Sequence, residues 1–88
     1  MSKKYTQLAK DIVELVGGKA NVDGVIHCVT RLRFRLNDES KADDEGIRSL
    51  NGVIALVKSA GEYMVVIGEH VPEVYDEVCK VLGISDES

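Results

Sequence analysis

No stretch of this sequence approaches the roughly 18 consecutive apolar residues that cross a bilayer. Its first residues, Met1-Ser2-Lys3-Lys4-Tyr5, also lack the apolar core of a signal peptide. A cytoplasmic location is therefore expected. Cysteine is scarce: only Cys28 and Cys79 occur, in unlike surroundings, and neither stands in a CxxC pair or a zinc-type spacing. This argues against a disulfide framework, gives no reason to expect a metal or cofactor, and leaves at least one thiol for chemistry. An excess of positive charge is missing too. With 11 Lys and Arg against 15 Asp and Glu, the net charge is −4, so nucleic acid is not an expected partner and any basic site must be local. Repeats, low-complexity tracts and internal linkers are also absent.

What remains is a composition suited to a packed core, 44% hydrophobic and 30% charged over 88 residues. One domain is expected over residues 1–84, followed by a polar tail, Ser85-Asp86-Glu87-Ser88. Leu8, Ile12, Leu15 and Val16 recur at helical spacing and precede Gly17-Gly18, which predicts a first helix at about residues 5 to 16. Val25 to Val29 reads as a strand. Leu32, Phe34 and Leu36 alternate with Arg31, Arg33 and Arg35, giving a second strand with one apolar and one basic face. Asp43-Asp44-Glu45 places carboxylates in the first turn of a second helix that ends near Leu50-Asn51-Gly52. Val53 to Ser59 and Tyr63 to Ile67 form two more strands, joined by Ala60-Gly61-Glu62. A last helix has Pro72 in its first turn, an apolar stripe through Val71, Val74, Tyr75, Val78 and Leu82, and Gly83 at its end. The order α-β-β-α-β-β-α predicts an α+β fold, with a four-stranded, mostly antiparallel sheet and three helices on one face.

The chemistry concentrates in His27-Cys28-Val29-Thr30-Arg31-Leu32-Arg33. Cysteine is a nucleophile as its thiolate, and neighbouring cations favour that form. The forks of Arg31 and Arg33 are also shaped to grip the oxygens of a phosphoryl group, and Thr30 adds a hydroxyl donor. The neighbours of Thr30 suggest a turn at the strand junction, which leaves Cys28 reachable by another protein. On residue types alone, a buried structural Cys28 beside a solvated basic strand face is an equal reading.

Cys28-Val29-Thr30-Arg31-Leu32-Arg33 followed by Phe34 resembles the phosphocysteine motif of the glucose-type IIB family of the sugar phosphotransferase system. The likeness extends to Gly17-Gly18 with Asn21, Leu50-Asn51-Gly52-Val53 and Val66-Ile67-Gly68. It implies that Cys28 takes a phosphoryl group from a phosphohistidine on a IIA domain and passes it to sugar held by a membrane IIC domain. The chain would then work at the inner face of the membrane, joined to or docked on IIC. It also implies that Arg31 and Arg33 stabilise the phosphoryl group, and that Thr30 supplies the motif's hydroxyl. His27 before the cysteine is similar to the β-glucoside, sucrose and trehalose branch. The chain itself carries no IIA or membrane segment, as expected of a separate subunit or an excised part of a fused transporter.

Two other readings stay open. His27-Cys28 followed by arginine is similar to the start of a cysteine-phosphatase loop, although that loop needs arginine six positions after the cysteine, where Phe34 stands. A non-catalytic α+β interaction or ligand-binding domain would leave Cys28 without phosphate. Of the remaining candidates, His27 is expected to pack or orient the loop, His70 to cap a helix or lie exposed, and Cys79 to be structural.

Overall fold

The alternation in Arg31–Leu36 sorts the molecule into two layers. In the computed structural model, which describes residues 5–84, Leu32 and Phe34 are fully buried while the arginines between them turn to the opposite face. The elements are α1 (Thr6–Leu15), β1 (Val22–His27), β2 (Arg31–Leu36), α2 (Asp44–Ser49), β3 (Ala55–Ser59), β4 (Glu62–Val66) and α3 (Val71–Leu82). The sheet order is β1-β2-β4-β3 with every neighbouring pair antiparallel. The α+β expectation holds in element order, sheet type and helix number. The expected tail at residues 85–88 lies outside the described residues.

One face of the sheet and the apolar stripes of the helices close a common core. Ala9, Ile12 and Val16 of α1 and its end meet Val71, Val74 and Val78 of α3 over Phe34, Tyr63 and Val65. Burial at this scale follows from the helical and strand periods alone. Gly17 and Gly18, both with positive φ, let α1 stop abruptly, and Gly18 N–H closes on the Val13 carbonyl at 2.9 Å. Buried Asn21 then stitches the chain. Its Nδ2 donates to the Val16 carbonyl at 2.8 Å, and its Oδ1 accepts from Asp38 N–H at 3.0 Å.

Element boundaries shift where local hydrogen bonding overrides pattern. β1 begins at Val22 rather than Val25, because a bulge between Val22 and Gly24 takes up Asp23 with a shift of register and lets pairing with β2 continue to Val22. It ends at His27, so Cys28 and Val29 leave the strand. Two short 3-10 turns, Lys19–Asn21 and Glu39–Lys41, have no periodic signal. Glu62, read as part of a connection, is the first residue of β4 and pairs with Ser59. Ala60 and Gly61 alone make that turn, both with positive φ, as a two-residue hairpin requires.

The acidic start of α2 does more than complement the helix. Asp43 caps it, accepting from Gly46 N–H at 3.0 Å. Asp44 reaches across to the sheet, where it accepts from the buried Tyr63 hydroxyl at 2.8 Å and from Lys58 Nζ at 2.7 Å. These bonds, Lys58 first, hold the Asp44 carboxyl below its ordinary value of 3.8. Burial, and then Asp44, push the Tyr63 hydroxyl well above its usual range. A carboxyl whose pKa is depressed by folding contributes stability above its unfolded pKa and loses it as pH falls through the folded one. Acid unfolding below about pH 4 is therefore expected to be shallower in Asp44→Asn than in the parent chain, with lower stability at pH 7. Urea titrations at pH 7 and pH 3 check this. An unchanged difference in stability between the two pH values would remove Asp44 from the acid response.

Candidate functional site

Cys28 sits at the end of the β1–β2 hairpin. Its backbone N–H donates to the Arg31 carbonyl at 3.0 Å, leaving Val29 and Thr30 as the tip. The tip is anchored from below: the Thr30 carbonyl accepts both Ile67 N–H at 2.8 Å and Gly68 N–H at 2.9 Å. Those two donors lie just beyond β4, on the path into α3. Gly68 has φ of 104°, a conformation that favours glycine, so the double bond depends on that residue type. The result is an exposed cysteine on a backbone held from β2 and from the segment that follows β4. That excludes the buried-cysteine reading for Cys28.

The register sets which side chains accompany it. Ile26 pairs with Arg33, and His27 with Leu32. His27 and Leu32 thus lie on the helix-facing side, while Ile26 and Arg33 lie on the open side. Arg33 is gripped by Glu62, with Nε donating to Oε1 at 3.0 Å and Nη2 donating to the same oxygen. Its guanidinium is held charged more firmly than usual, first by this hydrogen bond and then by the Glu62 charge, with a smaller contribution from Cys28. Arg31 takes another course, directing Nη1 toward the Met64 sulfur at 3.7 Å. His27 packs its ring 4.6 Å from that of Tyr75 on α3 and sets Nδ1 3.1 Å from the Cys28 carbonyl. A carbonyl only accepts, so Nδ1 carries the proton. His27 packs against α3, one of the two expectations for it.

Residues 10–43, which hold the second half of α1, Asn21 and the hairpin, match the model of the phosphotransferase system EIIB family. A β-glucoside-specific EIIBCA component of Halalkalibacterium halodurans is 51% identical over 97% of this chain. The chain belongs to the EIIB family of the phosphotransferase system. A sucrose-specific EIIBC component of Vibrio alginolyticus is 41% identical over 96% of the chain. The crystal structure of one domain of a PTS IIabc component from Clostridium difficile superposes with a TM-score of 0.88 at 27% identity, covering 100% of this chain and 96% of that one. The chain spans only 13% of the Halalkalibacterium protein and 18% of the Vibrio protein. Among the described residues of this EIIB domain no helix is long and apolar enough to cross a membrane.

Within the EIIB domain, two residues that bear on the hairpin escape sequence reasoning. Glu62 is one, since its partner lies 29 residues earlier. Ile54 is the other. It is 70% exposed, and a Cβ on Gly68 would lie 3.3 Å from its Cδ1, which places it beside the anchored tip. Cys79 is buried on α3, as a structural residue should be. His70 stands at the start of α3 without capping it through its side chain. It lies half exposed instead, with Nδ1 3.1 Å from Glu73 Oε1.

Proposed function

We propose that this EIIB domain is a phosphoryl relay. Cys28 accepts a phosphoryl group from a IIA phosphohistidine and donates it to sugar held by a membrane IIC domain, at the inner face of the membrane. The observation that carries this reading is the exposed Cys28 at an anchored hairpin tip. In the first step the sulfur lone pair forms an S–P bond as the donor's N–P bond breaks, and that electron pair returns to the imidazole nitrogen. In the second a sugar hydroxyl attacks phosphorus, sulfur leaves as thiolate, and the hydroxyl proton passes to a base. Such transfers need positioning and charge stabilisation above all. Arg33, Arg31 and the Thr30 hydroxyl supply donors for the equatorial oxygens. The names of the relatives, β-glucoside-specific and sucrose-specific, support a sugar of that group.

The phosphatase reading loses its footing in β2. Position 34 holds a fully buried Phe34 inside a strand, where a phosphatase loop would need arginine. Intact mass after incubation with a phosphorylated IIA domain tests the relay. One added phosphate, lost when sugar and IIC are supplied, is expected; no adduct would leave an interaction module instead.

Docking of the donor has to surround the sulfur, and the surface there is apolar. Val29 is 85% exposed at the tip, with Ile54 beside it. Exposed aliphatic groups at the centre with arginines beside them suit a brief, charge-steered encounter. Val29→Asp and Ile54→Asp are each expected to raise the KM for phosphorylated IIA about tenfold, equivalent to ~1.4 kcal/mol. An NMR shift map of the complex centred on α3 would contradict this docking face.

A further inference from the structure

We propose that Glu62 is a positioning residue for phosphoryl transfer. By holding one edge of the Arg33 guanidinium, it presents the other edge to the group carried on Cys28. The inference rests on the relay reading and deepens it. A guanidinium has two bidentate edges, Nε with one terminal nitrogen, and the two terminal nitrogens together. Glu62 takes the first edge side-on, because Nε and Nη2 both donate to the single oxygen Oε1. Nη1 makes no hydrogen bond among the described residues, so the second edge stays available.

The two residues are brought together by the sheet. Arg33 lies on β2 opposite Ile26 on one side and Met64 on the other, and Glu62 precedes Met64 by two residues on the same face of β4. Arg33 and Glu62 also line one shallow depression with Gly24, Ile26 and Arg35. A carboxylate beside a phosphoryl site opposes the attraction of an anion, so its service here is geometric. As the S–P bond forms and the N–P bond breaks, charge spreads over three equatorial oxygens. An arginine whose fork is already fixed can meet two of them without first being ordered.

Three variants of the chain separate geometry from charge, using steady-state transfer from a phosphorylated IIA domain. Glu62→Gln keeps an acceptor oxygen in place and removes the charge; it is expected to retain kcat within about threefold. Glu62→Asp keeps the charge and withdraws the acceptor by one methylene. It is expected to lose kcat about tenfold, as is Glu62→Ala, with the KM for the donor within about twofold of the parent. In an Arg33→Lys background, Glu62→Ala should cause no further loss, since Glu62 acts through Arg33. Unchanged kcat in Glu62→Asp, a raised KM with kcat intact, or an equal loss in the Arg33→Lys background would overturn the proposal. Failure of the parent chain to accept phosphate is a different result, and it would sink the relay itself.

Discussion

Cys28→Ser is expected to abolish phosphoryl acceptance, with transfer reduced by at least about a thousandfold, while Cys79→Ser leaves transfer intact. The two sulfurs differ in everything the chemistry needs. Cys28 is exposed at a hairpin tip whose backbone is fixed by the Cys28–Arg31 and Thr30–Ile67 hydrogen bonds, none of which uses the thiol. Serine therefore fits without disturbing the loop. Its hydroxyl is a weak nucleophile near neutrality unless a base stands ready, and His27, turned to the other face with Nδ1 on a carbonyl, is not placed as one. Cys79 is buried on α3, where a serine hydroxyl can bond to a carbonyl of the preceding turn. The measurement is sugar-dependent phosphate flow in vesicles holding IIC, with IIA and each variant added. Normal flow through Cys28→Ser would remove the central reading.

Arginine geometry should matter next most. Arg33→Lys is expected to keep the fold and positive charge but to lower transfer about tenfold, ~1.4 kcal/mol of transition-state stabilisation, because lysine is a point charge without a planar fork. Lysine at position 33 can still pair with Glu62 through a single donor, but it has no second edge for phosphate. Arg31 is closer to Cys28 in sequence. Its observed contact is with the Met64 sulfur, a weak acceptor easily exchanged for an anion. Among the described residues no carboxylate fixes the Arg31 fork as Glu62 fixes that of Arg33, so Arg31→Lys is expected to cost less than Arg33→Lys. Alkylation of Cys28 by a small neutral reagent provides the control, since it needs charge nearby and no fork. Equal transfer in the parent and both lysine variants would reduce the arginines to a general positive field.

Much of this was legible in the chain itself, for identifiable reasons. The period of two in Leu32, Phe34 and Leu36 and the stripe of α3 are strong signals, because each places one face in the core and one outside. From them came the element order and the two faces of β2. The thiol with its arginines stood out because they are contiguous. Glu62 did not, since an acid after Ala60-Gly61 reads as turn chemistry, and only the pairing of β4 with β2 brings it to Arg33. Asp44 was explained too early: its place in a first helical turn suffices locally and hides the bonds to Tyr63 and Lys58. Ile54 was lost inside an apolar run, because exposure is a property of the folded surface.

The sheet order also has a consequence for timing. β1 and β2 are joined by a two-residue tip and can pair as soon as both exist, but the next neighbour of β2 is β4, whose residues come only after a helix and another strand. A polypeptide emerging from the ribosome as far as α2 already contains Cys28, Thr30, Arg31 and Arg33. It still lacks the Glu62 carboxylate and the Ile67 and Gly68 donors to Thr30. The pieces that hold the cysteine loop and the arginine in place are thus synthesised after the hairpin they hold, and the hairpin waits for a long-range closure that forms more slowly than local pairing. Reactivity arrives only once β4 and the residues just after it have been made.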